Sequence, residues 1–278
     1  YWILKKCYTW DYIQIKNMKY AHKAYLPRPI INSVLELYQK KTVLKDVVGY
    51  EVEYLLSKGM LNSIYGMCVT DVVKENTLYD DELWLTETPN ITDEIEHYNK
   101  SRNRFLYYPW GVWVTGYARA NLWSGILSVG DDYVYSDTDS LKLINYENHL
   151  PYIKSFNNTI YDKMVNMMDF YGLDVNLLSP KTKEGVTKTM GVWDYEGTYT
   201  RFKTLGAKRY LVQDDNKYSL TVAGLGKKQG MNYLQKVCNN DPVKIFDMFN
   251  DNLYIPKNET GKMTHTYIDN TIEGVLTD

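Results

Sequence analysis

Apolar positions recur at helical spacing early in the chain. Pro29 is followed by Ile30, Ile31, Val34, Leu35 and Leu37, and proline fits the first helical turn because its fixed φ suits a helix and its missing N–H is not needed there. This pattern predicts a helix over 29–45. A second is predicted over 47–66, stopped by Gly66. Residues 67–108 are acidic and polar without a sustained period, so they predict an insertion of short strands and loops. Helical spacing returns over 110–129, with Gly130 behind it. The period then shortens to two: a hairpin is predicted from 133–136 and 141–144, turning at Asp137 and Asp139. A helix over 151–170 follows, then strands at 192–196, 199–212 and 218–222. Helices at 228–237 and 242–252 and a strand at 264–268 complete an α+β pattern without internal repeats.

Composition narrows the setting. No run approaches the roughly 18 apolar residues of a membrane-spanning helix, and the start has no charged-then-apolar leader pattern, so a soluble protein is expected. The chain begins with Tyr1 rather than Met, as a processed product or a fragment would. Three scattered cysteines, Cys7, Cys68 and Cys238, are too few for a disulfide framework or a cysteine zinc site, which favours a reducing, cytoplasmic location. Tyrosine is abundant, 27 against 6 phenylalanines. Two explanations stand side by side: wet grooves that stack bases or sugars, or an AT-rich coding bias. The formal net charge of −2 hides blocks of opposite sign. Residues 1–66 and 181–236 are basic, at +5 and +6, while 67–180 and 237–278 are acidic, at −9 and −4. Two basic blocks around an acidic centre suit a polyanion gripped on both sides of a metal-binding middle, and also suit plain solvated surface.

Three constellations carry candidate chemistry. In DDYVYSDTDSLKL, residues 131–143, Asp137 and Asp139 stand at i and i+2, which on an extended segment face one side. Such a pair suits Mg²⁺, which takes one or two carboxylates plus substrate phosphates. An EF-hand is excluded because Lys142 stands where that loop requires glycine. In SKGMLNSIYG, residues 57–66, Lys58, Asn62 and Tyr65 fall within about 60° on a helix at about 100° per residue. Leu56, Met60, Leu61 and Ile64 form an apolar back. That front offers a cation for a triphosphate and a ring for a base pair; an ordinary amphipathic helix has the same outline. Lys41 and Lys45 on the preceding helix add positive charge. In LGAKRYLV, residues 205–212, a strand puts Lys208 and Tyr210 on one face and Arg209 on the other, a pairing that grips a nucleic-acid backbone or simply decorates a surface.

Together and in this order, the motifs resemble those of B-family DNA polymerases. YSDTDS is similar to the family's polymerase signature and KGMLNSIYG to its fingers-helix signature. GVWDYEG with FKTLGAKRYLV resembles the Lys-x-Tyr region of the protein-primed branch found in bacteriophages, adenoviruses and linear plasmids, and AGLGKK at 223–228 the start of a small thumb. The resemblance covers essentially the whole chain. It implies an antiparallel-sheet palm with helical fingers, a β-rich insertion and a small thumb, forming an incomplete polymerase domain. Residues 1–27 would end a first insertion, 28–66 form fingers helices, 67–108 a second insertion, 109–222 the palm and 223–278 a partial thumb. Asp139 would be the more direct ligand of catalytic Mg²⁺, with Asp137 supporting it. Lys58 and Lys41 would bind the triphosphate, and Asn62 and Tyr65 would shape the base-pair pocket. Lys208 and Tyr210 would hold the primer terminus, and Arg119 would contact DNA. Gly191, Trp193 and Glu196 match a largely structural pattern, with Trp193 buried.

The implied activity is DNA-directed DNA synthesis in protein-primed phage replication, in the host cytoplasm. A primer 3′-oxygen attacks the α-phosphate of a deoxynucleotide between two divalent cations, Mg²⁺ or Mn²⁺, about 3.5–4 Å apart. Partners would be template–primer DNA, dNTPs and a terminal protein that supplies the first hydroxyl; no membrane is involved. One departure matters. The family's other metal-binding aspartate lies in a D-x-x-S-L-Y-P segment, and residues 1–278 contain none. The proofreading exonuclease region is also missing, so the chain is expected to be an internal fragment, inactive without the amino-terminal part of the same polymerase. Two other readings stay open: a non-catalytic DNA-binding half of a split polymerase, and a glycosyltransferase whose Asp-x-Asp turn binds a metal–sugar-nucleotide complex.

Overall fold

The computed structural model describes residues 2–18, 20, 22, 24–80, 83–102, 104, 105, 107–215, 217–256, 259, 262–268 and 271–277. In chain order the elements are α1 (Trp2–Cys7), α2 (Arg28–Leu44), α3 (Glu51–Cys68), β1 (Asn76–Asp80), β2 (Leu83–Glu87), α4 (Ile91–Lys100), α5 (Tyr108–Val129), β3 (Tyr133–Asp137), β4 (Ser140–Leu143), α6 (Tyr146–Tyr171), β5 (Arg201–Gly206), β6 (Arg209–Asp214), β7 (Lys217–Val222), α7 (Lys227–Val237), α8 (Pro242–Met248), β8 (Lys262–Ile268) and β9 (Thr271–Thr277). This is a mixed α+β protein whose sheets are small and antiparallel: β1–β2, β5–β6–β7 and β8–β9, besides the β3–β4 hairpin. The chain forms two compact units, Tyr1–Tyr133 with Leu143–Asp194, and Val134–Lys142 with Tyr195–Asp278. No helix among the described residues is long and apolar enough to cross a membrane.

The first unit is largely helical. Its core joins Ile31 and Leu35 of α2 to Met168 of α6 and to Leu178, with Met164 and Met190 packed around them. In α3, Ser57 and Cys68 are buried and Leu61 and Ile64 half-buried, so the packed stripe follows the 3- and 4-residue steps that place side chains on one helical face. The helix starts at Glu51 rather than 47 and runs through Gly66 to Cys68. Mid-helix glycine costs only about 1 kcal/mol, and continuing the helix buries Cys68. Leu56 and Met60 remain 59% and 57% exposed, so the apolar back expected for this helix is only partly covered. Between 67 and 108 the structure adds α4, absent from the sequence expectation. Asn90 caps it by accepting from the Thr92 N–H, with Asp93 and Glu94 in its first turn and His97 and Lys100 in its last, as helix polarity favours. At the start of α5, Gly111 lets Val69 approach: a Cβ there would stand 2.1 Å from Val69 Cγ1. Helix α5 ends at Gly130, φ 55°. Helix α6 begins at Tyr146, five residues before Pro151, because a proline so near the N-terminus forfeits a single backbone bond.

In the second unit, β6 is central. Leu211 pairs with Leu220 across β6–β7, and this face packs on Met231, Leu234 and Cys238 of the α7 region and on Ile245 and Phe249 around α8. Gly230 lets α7 lie close, since a Cβ would meet Leu225 Cδ2 at 2.7 Å and Leu220 Cδ2 at 2.9 Å. Strands alternate faces, so Tyr210, and Phe202 beside it, point the other way. There Tyr135 of β3 packs on both rings, with centroids 5.2 Å and 5.7 Å away. The sheet is therefore lined by helices on one side and by the β3–β4 hairpin on the other. Three strand expectations change. Residues 192–196 form no strand, 199–212 fold as two strands around a turn at 207–208, and β9 pairs with β8. Helix α8 stops at Met248 rather than 252.

Candidate functional site

The β3–β4 hairpin displays its aspartates through an unusual turn. Asp137 closes β3, and Thr138 adopts φ 54°. A two-residue hairpin needs positive φ at this place and normally uses glycine there; a β-branched residue is a marked exception. The turn is held from within. The Thr138 hydroxyl donates to Asp137 Oδ1 at 2.9 Å, the Asp139 N–H to the Asp137 carbonyl at 2.7 Å, and the Ser140 hydroxyl to the same carbonyl at 3.1 Å. Asp139 thus lies in the turn, so the shared strand face expected for the pair does not apply. Its side chain is exposed.

Lys208 is the second correction. It occupies the β5–β6 turn with φ 55°, not a strand position beside Tyr210. Its N–H donates to the Tyr135 hydroxyl at 2.9 Å, and its ammonium reaches both Asp137 oxygens at 2.9 and 3.0 Å. Residues 71 positions apart are thereby fastened twice. The Lys208 hydrogen bond holds the Asp137 carboxyl below its ordinary range, opposed by partial desolvation and helped by the Thr138 hydroxyl. The same pairing raises Lys208. Tyr210 stacks on Phe202 with rings 17° from parallel. Tyr135, 7% exposed, is the positioning residue that the sequence reading passed over, although it lies two places before Asp137 in the quoted motif.

The remaining candidates lie in the first unit, except Glu196, which is in the second. Lys58 and Asn62 are exposed along α3. Tyr65 is 41% exposed, and its hydroxyl is hydrogen-bonded at 2.9 Å to Thr115 Oγ1 on α5. Thr115 in turn donates to the Gly111 carbonyl, so Tyr65 is braced while Lys58 and Asn62 extend into solvent. Lys41 stands 5.6 Å from the Tyr38 ring centre, and Arg119 is exposed on α5. Trp193 is half-buried, with its backbone N–H and carbonyl both bonded to Asn157. Gly191 has φ 75° and would place a Cβ 3.3 Å from Ile160. Glu196 pairs with Lys142 at 3.2 Å. Also in the first unit, Asp132 accepts from Asn145 at 2.8 Å and shares a 2.7 Å hydrogen bond with His149. These two bonds, His149 first, hold its carboxyl below the ordinary range.

Among the described residues, no group of three or more His, Cys, Asp or Glu side chains could hold a metal ion. The donor set at the turn is one exposed carboxylate beside one already paired with an ammonium. That set fits a hard cation that keeps most of its waters and shares phosphate oxygens, as Mg²⁺ does, rather than a closed protein cage. No family model matches the chain, and no curated protein or solved structure matches it.

Proposed function

We propose that this chain forms part of a DNA-directed DNA polymerase of the protein-primed B-family type, with the second unit's hairpin and three-stranded sheet in the palm, α2 and α3 in the fingers, and 223–278 in the thumb. The observation that carries the reading is the meeting of Asp137 with Lys208: two motifs that the resemblance assigns to metal binding and primer binding share one place in the second unit. Asp139 and Asp137 hold the divalent cation, Lys208 and Tyr210 hold the primer terminus, and Lys58, with Lys41, binds the triphosphate. Asn62 and Tyr65 shape the base-pair pocket and Arg119 contacts DNA. Bound cations supply charge neutralisation at the attacking oxygen and the departing pyrophosphate. The protein's share is to position the reactants and screen their charge. A third carboxylate comes from a segment outside residues 1–278 or from a second polypeptide. Primer–template DNA, dNTPs and a terminal protein are the partners.

Equilibrium binding in Mg²⁺ tests this reading. The chain is expected to bind a dNTP in preference to a sugar nucleotide, and Lys58→Ala to weaken dNTP binding at least about tenfold. Preference for the sugar nucleotide would overturn it in favour of a glycosyltransferase. The isolated chain is expected to incorporate no dNMP, since it holds only the Asp137–Asp139 part of the centre.

A further inference from the structure

The Asp137–Lys208 pair is too firmly built for a casual surface contact. Exposed ion pairs usually join two mobile side chains and contribute little. Here the backbone of each partner is fixed. Thr138 and Lys208 both hold left-handed φ values without glycine, conformations that persist only where the surroundings over-determine them. The Lys208 N–H is fastened to the buried Tyr135, and its ammonium spans both Asp137 oxygens. A cation held by Asp137 and Asp139 would compete with Lys208 for the Asp137 carboxylate, and its charge would repel the ammonium. A phosphate drawing Lys208 away would free the carboxylate for a cation.

We propose that Lys208 is a latch on Asp137: taking up a divalent cation at the turn releases the ammonium, which then grips a phosphate of the nucleic acid, so that cation and phosphate strengthen each other's binding. The phosphate part rests on the polymerase reading; the latch rests on the geometry alone. Coupling of this kind is reciprocal, and typical values run from about 5- to 150-fold. The latch also keeps Asp137 neutralised before DNA arrives, so the site admits its charges together.

Mn²⁺ binding, followed by electron paramagnetic resonance on the full chain without nucleotide, tests the latch. Lys208→Gln should tighten Mn²⁺ about 5- to 10-fold, at the lower end of such couplings, while Lys208→Arg should not. Lys142→Gln on β4 removes the same charge from a lysine already paired with Glu196 and should change Mn²⁺ binding less than about twofold, because that carboxylate offsets its charge at a distance. Equal tightening by Lys142→Gln and Lys208→Gln, or none by Lys208→Gln with its circular dichroism intact, overturns the latch. A second arm measures duplex DNA by fluorescence anisotropy with and without Mn²⁺. The wild-type chain should gain affinity with Mn²⁺ and Lys208→Gln should not. Absence of any duplex binding, with the Mn²⁺ effect intact, would leave the latch standing and remove the polymerase reading.

Discussion

Tyr135→Phe separates two roles that one side chain combines. The ring packs against Tyr210 and Phe202, and the hydroxyl accepts the Lys208 N–H at 2.9 Å. Phenylalanine preserves the ring and deletes the acceptor. Removing one such hydrogen bond costs about 0.5–1.5 kcal/mol. At a factor of ten per 1.4 kcal/mol, about 1 kcal/mol corresponds to roughly fivefold. The Lys208 amide should therefore exchange its hydrogen about fivefold faster, while amides of β7 and α7 keep their protection. Tyr135→Ala removes the ring as well, and truncation of a buried aromatic costs about 3–5 kcal/mol. It should loosen the whole β5–β6–β7 sheet. Hydrogen exchange read by NMR distinguishes local from general effects. Unchanged exchange at Lys208 in Tyr135→Phe, or equal damage from both variants, would refute the assignment of the hydroxyl as the fastener of this turn.

Three more outcomes are expected. Gly111→Ala should lower stability by about 1–3 kcal/mol in urea denaturation, the usual overpacking range, because its Cβ would collide with the stiff Val69 side chain; wild-type stability would refute the close approach. Asp132 has a depressed pKa, so its stabilisation is present above the unfolded value of about 3.9 and is lost as pH falls through the folded value. Asp132→Asn should therefore destabilise the protein at neutral pH and make its acid unfolding, followed by circular dichroism, less steep below about pH 4; parallel acid curves would refute the brace. Leu56→Lys, at a 59% exposed position, should change stability in urea denaturation by less than about 0.5 kcal/mol. A large loss of stability would show that this face of α3 is packed.

Helices with a regular apolar stripe were legible almost to the residue: 29–45 against Arg28–Leu44, and 110–129 against Tyr108–Val129. The Asp hairpin was legible too, since period-two alternation on both sides of a polar turn leaves few alternatives. Helix α4 had readable signals, Asn90 as cap, acidic residues just after it and Ile91, Ile95 and Tyr98 at helical spacing, but the stripe is short and no side chain of the helix is buried. Gly66 misled because stop signals are local, whereas burial of Cys68 draws the helix onward. The greatest loss was at the site. A stretch as β-prone as 199–212 reads as one strand, and nothing local marks Lys208 as left-handed. That conformation is enforced from 73 residues away by Tyr135, and the meeting with Asp137 is likewise a product of tertiary pairing. Which apolar positions of α3 are covered is decided by its neighbours, not by its own pattern.

A chain that forms the proposed part of a polymerase should read a template. A primer–template duplex carrying a fluorescent base at the templating position, titrated with each dNTP in Mg²⁺, measures that most directly. The complementary dNTP alone should shift the fluorescence and tighten the duplex, and Lys58→Ala and Asp139→Asn should each abolish the effect. A response indifferent to complementarity, or the same response in Asp139→Asn, would contradict the polymerase reading.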